Sequence, residues 1–189
     1  LPIYNPDTKP WLREFSFVKN KFQLGEEYFS AKLAKVMPAS FPTIRLSQLA
    51  DLYSAHQNLF SKIINAKKVD ELKTIFKDIK ASAYWDSHYF FGKKAEEKQR
   101  KLSADFTEII LLNAVFPVMY SYHRDNLEMV EIILSFYKEM KPEKNSIIKQ
   151  WKNTGAEINS ALDSQAFLYL YKKIFPRKGK TTSPKAPQR

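Results

Sequence analysis

The chain has 189 residues, of which 44% are hydrophobic and 14% aromatic, so it can bury a core without a metal or a disulfide. The absence of cysteine excludes disulfides, thiol nucleophiles and cysteine-based metal sites, and it fits a cytoplasmic location. A net charge of +11 favours polyanionic partners: nucleic acid, an anionic membrane surface or an acidic protein.

No membrane span is expected from the hydropathy of the chain. The longest apolar run, Ile109 to Tyr122, is interrupted by Asn113 and Pro117. It is also shorter than the roughly 20 residues that cross a bilayer. No signal-peptide pattern opens the chain. Because the first residue is Leu1 rather than Met, we expect the sequence to be part of a longer protein.

Helical spacing of apolar residues recurs along the chain, and only 4 glycines occur. The N-terminal part predicts helices from Trp11 to Phe22 and from about Glu26 to Met37, the second stopped by Pro38. A third helix is predicted from Thr43, its N-cap, to about Asn65.

Two polar residues, Arg45 and His56, fall within the apolar stripe of that third helix. A buried arginine left unpaired is costly, so we expect Arg45 to meet a carboxylate, with Asp86 or Asp163 as candidates. An anionic ligand is the sharper alternative. We expect His56 to be a hydrogen-bonded core residue.

A short helix from Val69 to Ile79 precedes an aromatic cluster that ends at Gly92. Its members are Tyr84, Trp85, His88, Tyr89, Phe90 and Phe91. Helical spacing within the cluster favours core packing over the alternative, base stacking. A charged stretch follows, and its basic residues are the candidate phosphate contacts: Lys93, Lys94, Lys98, Arg100 and Lys101.

Ser103 predicts the cap of a long helix to His123, which is apolar all round and so expected to be central and buried, with a kink at Pro117. Three more helix starts are predicted further along the chain. A capping box at Asp125 and Glu128 opens a helix to Met140, and Asn145, after Pro142, opens a short helix that ends at Gly155. A second capping box, at Ser160 and Asp163, opens the last helix to Phe175.

These elements predict an all-α fold: one compact domain of about seven or eight helices over residues 1–175. Residues 176–189 hold five basic residues, three prolines and no acidic residue. Such a segment cannot build a core, so we expect a flexible basic tail.

Catalysis finds little support in the residues. The three histidines lack the spacing of a metal site, and neither a nucleophile elbow nor a phosphate-binding glycine loop occurs. We therefore expect no metal, no cofactor and no catalytic residue. Asp86, beside Trp85 and His88, is the one carboxylate in apolar surroundings, and a structural role as a cap or an arginine partner is favoured over acid–base chemistry.

Four strings in order resemble one family: Phe41-Pro42-Thr43-Ile44-Arg45-Leu46, Tyr84-Trp85-Asp86-Ser87-His88-Tyr89, Lys144-Asn145-Ser146-Ile147-Ile148 and Ser160-Ala161-Leu162-Asp163-Ser164-Gln165-Ala166. They are similar to the C-terminal half of the domain of unknown function 2851 family, seen mainly in Bacteroidetes. The resemblance extends from about Trp11 to Phe175. Two features depart from the family pattern: Met37 stands where an arginine is usual, and the basic tail replaces a cysteine-containing stretch.

The resemblance implies a nuclease-like N-terminal half in longer members, which is absent here, so it assigns no catalytic residue to this chain. It marks residues of the recurrent strings as a polar network or as a site facing the absent half: Arg45, Tyr84, Trp85, Asp86, His88, Asn145 and Asp163. The network is favoured, because helix caps account for the last two.

Three functions remain open from the sequence. The leading hypothesis is a non-catalytic accessory domain that binds nucleic acid and supports a nuclease-like half. The alternative is a protein-interaction or structural module with an acidic partner. The third is an enzyme whose site contains Arg45, Asp86 and His88, which requires these side chains to converge in a pocket that reaches solvent.

Overall fold

The computed structural model describes residues 9–25 and 41–175. They belong to two compact units, one ending at Ile110 and the other beginning at Leu111. The described residues are mostly helical, which confirms the all-α prediction. The predicted helix from Glu26 to Met37 and the tail, residues 176–189, lie outside the described residues. The single domain over residues 1–175 stays a prediction.

The first unit combines short helices with one small hairpin. Its elements are α1 (Lys9–Lys21), α2 (Pro42–Ala55), α3 (Leu59–Ile64), α4 (Val69–Ile75), a 3₁₀ turn (Ala83–Asp86), β1 (His88–Phe90), β2 (Lys93–Lys94) and α5 (Ala104–Ile110). Ile44, Ala81 and Trp85 form a buried cluster, against which the half-buried rings of Phe41, Tyr84 and Tyr89 pack. This cluster ties α2 to the aromatic segment.

The predicted helix from Thr43 to Asn65 is wrong at both its start and its middle. Pro42 occupies the first turn, where its missing N–H costs nothing, and Thr43 is no cap. The Thr43 hydroxyl instead donates to the Tyr89 carbonyl at 2.9 Å. The helix ends at His56, and Asn58 takes the left-handed conformation (φ 58°) before α3 begins.

His56 is held as expected, since its Nε2 lies 2.7 Å from the Ile75 carbonyl oxygen. The neighbouring α4 stops at Ile75 rather than Ile79. Asp78, with φ 62°, turns the chain out of helical geometry at this point.

The helical spacing read in the aromatic cluster is also wrong. The segment forms a 3₁₀ turn and then β1, which pairs antiparallel with β2. Gly92 makes the turn between the strands with φ 69°, where a side chain is disfavoured, and its N–H donates to the Tyr84 hydroxyl at 3.1 Å. Tyr84 and His88 still stack, with ring centroids 4.2 Å apart.

The second unit consists of a π-helical turn (Leu111–Val115), α6 (Phe116–His123), α7 (Leu127–Glu139), α8 (Ser146–Asn153) and α9 (Ala161–Ile174). In this unit, Leu111, Phe116, Met119 and Ile133 are completely buried. The Phe116 ring contacts Phe136 and Tyr137 of α7 at centroid distances of 5.5 and 4.9 Å.

Pro117 is accommodated by the π-helical turn. In an uninterrupted α-helix the proline ring would clash with the carbonyl of Asn113, four residues earlier, and Asn113 lies inside the π-helical turn.

The Tyr137 hydroxyl donates to the Leu112 carbonyl, in the same π-helical turn, at 3.1 Å. Burial raises the pKa of Tyr137, and the charge of Glu143 adds to this rise. The expectation of burial all round is wrong, because Val118 and Tyr120 are exposed.

Most of the helix starts that we predicted from capping residues agree with the structure. The Oγ of Ser103 accepts the Phe106 N–H, Asn145 accepts the Ile148 N–H at 2.9 Å, and Ser160 and Asp163 form a complete capping box. One cap shifts by a residue: α7 is capped by Asn126, not by Asp125. None of the described helices is long and apolar enough to cross a membrane.

Candidate functional site

An open groove of about 640 Å³ in the first unit lies between the start of α2, β1 and the segment that leads into α5. We call it the arginine groove. The charged residues among the described part of its lining are all basic: Arg45, Lys98, Arg100 and Lys101. Phe41 and Tyr89 contribute aromatic rings, and the other lining residues are uncharged.

Arg45 enters the groove from the first turns of α2. The expected ion pair with Asp86 or Asp163 is wrong: Nη1 donates instead to the Gln48 side-chain oxygen at 2.8 Å. The guanidinium lies over the ring of Phe106, with its central carbon 3.5 Å from the ring centroid. Burial lowers the pKa of Arg45. Its Nε is buried without a hydrogen-bond partner.

Arg100 reaches the groove from the segment between β2 and α5. Its guanidinium carbon lies 4.5 Å from the Tyr89 ring centroid, and Nη2 donates to the Glu96 carbonyl at 3.3 Å. The Nε of Arg100 is also buried and without a partner. Neither arginine forms a salt bridge with a carboxylate of the described residues. Both cations are therefore held by neutral partners.

Gln48 connects the two arginines. The side chain is only 4% exposed. Its oxygen accepts from Arg45, and its Nε2 donates to the Arg100 carbonyl at 2.9 Å. The backbone of Arg100 is held further by Asp86, whose carboxylate accepts the Arg100 N–H at 3.0 Å. Arg45 and Asp86 are thus joined indirectly, through Gln48 and the backbone of Arg100.

The predicted phosphate contacts divide into two groups. Lys98, Arg100 and Lys101 line the arginine groove. Lys93 and Lys94 lie exposed on β2 and do not line it. Lys101 has an acidic neighbour, Asp78, at 3.9 Å, but both side chains are largely exposed, so this pair contributes little.

No hydrogen bond or ion pair joins Arg45 directly to Asp86 or His88 in the described part of the chain. Trp85 is buried in the core cluster. The Asp86 carboxylate is engaged by backbone, and His88 Nδ1 lies 2.9 Å from the Tyr84 carbonyl and 3.0 Å from the Ser87 hydroxyl. Among the described residues, no group of three histidine or acidic side chains could hold a metal ion.

Two other grooves differ from the arginine groove in the charges of the side chains that line them. One, of about 480 Å³, has acidic and basic side chains together: Asp70, Asp78, Glu108, Lys73 and Lys77. A second, beside α8 in the second unit, carries the exposed lysines Lys141, Lys144, Lys149 and Lys152 together with Glu143. None of these lysines forms a salt bridge with a described residue.

Gln48 was missed in the sequence, although one signal was present. It lies one helical turn after Arg45, on the face turned inward by Leu52. A polar residue at that position could have been read as the partner of the inward arginine.

The architecture and the groove together define a mostly α-helical protein with an ordered basic groove. Residues 4–146 match the model of the family described as "Protein of unknown function (DUF2851)". The chain belongs to this family. Two of the four strings that carried the resemblance lie wholly within the match. The string beginning at Lys144 runs two residues past its end, and the string beginning at Ser160 lies beyond it. No curated protein and no solved structure matches the chain.

Proposed function

We propose that this protein is a non-catalytic accessory domain that binds nucleic acid through the arginine groove. The observation that carries the proposal is the pair of guanidinium groups, Arg45 and Arg100, held in one groove without a carboxylate partner among the described residues. Both residues are half-buried. A partly desolvated cation without a counter-ion carries an energetic cost, which a phosphate group would offset.

The distribution of charge supports a site on the folded part of the chain. The tail holds five of the basic residues and no acidic ones, so it accounts for nearly half of the net charge of +11. In the arginine groove, by contrast, four basic side chains converge, and none of the described residues that line it is acidic. A concave surface of one sign concentrates the field that attracts a polyanion. A cytoplasmic location, where nucleic acid is abundant, is part of the same proposal.

A protein-interaction module is the second candidate, and one observation favours it. On α2 the exposed side chains Leu46, Leu49 and Tyr53 follow the spacing of one helix face. Such a face suits a partner helix. It leaves the convergence of the basic side chains in the groove unaccounted for.

The test is fluorescence anisotropy of the full chain with single- and double-stranded DNA and RNA over a salt series. Binding should weaken steeply with salt, with a slope of about 0.9 per phosphate contact on duplex DNA. Arg100→Gln should reduce the slope by about one and weaken all sequences alike. Arg124→Gln, an exposed arginine of the second unit, is the matched control and should change nothing.

The tail needs its own variant within the full-length chain. Replacing its five basic residues with Gln should lower the affinity while leaving the effect of Arg100→Gln intact; these residues are Arg177, Lys178, Lys180, Lys185 and Arg189. If the tail variant abolishes binding, or if Lys149→Gln with Lys152→Gln has the larger effect, the groove is not the site. Binding to vesicles of phosphatidylglycerol but to no oligonucleotide would contradict the proposal.

A further inference from the structure

The aromatic rings of the arginine groove are already in use. Phe41 and Tyr89 contact each other with centroids 4.2 Å apart, and the Arg100 guanidinium lies over Tyr89. Phe106 carries the guanidinium of Arg45 in the same way. A ring that holds a guanidinium plane cannot offer that face to a nucleobase. In this groove the aromatic residues therefore orient cations.

In the guanidinium group of Arg45 one nitrogen is hydrogen-bonded and another is buried without a partner. Nη1 is the nitrogen bonded to Gln48, and Nε is buried without a partner. Nε and Nη2 together form the planar fork that binds two oxygens of a phosphate or carboxylate group. In Arg100 the Nε is likewise without a partner, while Nη2 contacts a carbonyl.

We infer that the arginine groove recognises the phosphodiester group itself, independently of the base, through the guanidinium groups of Arg45 and Arg100, and that Gln48 is the positioning residue for both. This inference rests on the proposed function and names the chemical group that the site reads. Gln48 acts on the side chain of Arg45 and on the backbone of Arg100, so one amide sets the positions of two cations.

Three single-stranded oligonucleotides of equal length test the base independence by anisotropy. One is natural, one carries tetrahydrofuran abasic residues, and one has an uncharged methylphosphonate backbone. The abasic strand should bind within about threefold of the natural strand, and the methylphosphonate strand should lose binding at least tenfold. A tenfold loss with the abasic strand would overturn the inference and leave nucleic-acid binding standing.

The guanidinium groups are followed directly by NMR of their Nε–Hε signals, assigned with Arg45→Lys and Arg100→Lys. Both signals should shift on addition of the natural or the abasic strand. If no oligonucleotide binds, the proposed function fails, and inorganic phosphate added to the same sample still tests the site. If inorganic phosphate shifts both signals, the groove is a phosphate site although it does not bind nucleic acid. If neither signal shifts, the phosphate site is refuted as well.

The role of Gln48 is tested by variants that separate position from folding. Gln48→Glu places a carboxylate beside Arg45, so affinity for the natural strand should fall at least tenfold while thermal unfolding stays cooperative. Gln48→Met should move both Nε–Hε signals in the unbound protein. Arg45→Lys keeps the charge but loses the fork and should also weaken binding about tenfold, whereas Arg124→Lys should have no effect. Unchanged affinity in both Gln48 variants would contradict the positioning role.

Discussion

The helix caps of the second unit and the side-chain bonds around the groove of the first unit span very different distances along the chain. In the second unit, Asn126, Asn145 and Ser160 each accept an N–H from three residues further on. In the first unit, Thr43 bonds a carbonyl 46 residues away and Gln48 one 52 residues away. The first unit therefore builds its groove from segments that meet only in the folded chain.

This difference separates two uses of polar residues. A cap satisfies N–H groups that every helix leaves open, so it stabilises a local structure and has no other requirement. Gln48 bonds the guanidinium of Arg45 and the backbone carbonyl of Arg100, so it joins α2 to a distant segment of the chain. We expect changes at the caps of the second unit to leave the groove unchanged, and loss of the Gln48 amide to disturb both arginines.

The largest loss in the free energy of unfolding is expected from a substitution in the buried core of the second unit. Phe116 is completely buried against Phe136 and Tyr137. Phe116→Ala should lower the free energy of unfolding by about 3–5 kcal/mol, because it removes apolar contacts and leaves a cavity. Urea denaturation measures this, with Tyr120→Ala, at an exposed site on the same helix, as the control. Equal effects of the two variants would contradict the assigned core.

A smaller loss is expected from Gln48→Met, which tests whether the long-range bonds carry stability as well as position. Removing the amide leaves the Arg45 guanidinium and the Arg100 carbonyl without these partners. The free energy of unfolding should fall by about 1–3 kcal/mol. Gln150→Met, on an exposed position of α8, is the matched control and should have little effect. A difference below the error of the denaturation curves would mean that the long-range bonds do not stabilise the first unit.

The capping box of α9 tests the local side of the comparison. Ser160→Ala removes the acceptor for the Asp163 N–H and should lower the free energy of unfolding by about 1 kcal/mol. Ser121→Ala, at an exposed position within α6, should be neutral. Oligonucleotide affinity should not change in either variant, since neither residue lines the groove. A loss of affinity in Ser160→Ala would contradict the view that the helix caps of the second unit do not influence the groove.

The smallest effect is the pH dependence contributed by Asp163. Hydrogen bonds from the Asn159 N–H, the Ser160 hydroxyl and the Ser160 N–H lower the pKa of its carboxyl below the ordinary value of 3.8. The folded state thus favours the charged carboxylate. The stabilisation is present above pH 3.8 and is lost as the pH falls through the lower, folded-state pKa. Thermal unfolding of wild type and Asp163→Asn between pH 2 and 6 should converge at the acidic end. Parallel curves would show that Asp163 contributes no such pH dependence.

The sequence predicted best where a structure depends on neighbouring residues. Asn145 and the pair Ser160 and Asp163 were identified from spacing alone, because a cap needs only its own first turn. The prediction failed at Thr43, whose hydroxyl found a distant carbonyl in place of its own helix, and in the aromatic cluster, where a hairpin replaced the helix. In both cases tertiary contacts outweighed a local preference of about 1 kcal/mol or less.

The sequence by itself determined the helical class, the caps of α8 and α9, the inward position of Arg45 and the basic character of the segment that contains Lys98 and Arg100. Only the tertiary structure decided that Arg45 meets Gln48 and Phe106 rather than a carboxylate, and that Arg100 lines the same groove. The physical reason is range. A helix or a cap forms within a few residues, whereas a groove requires segments whose meeting is settled by the packing of the whole unit.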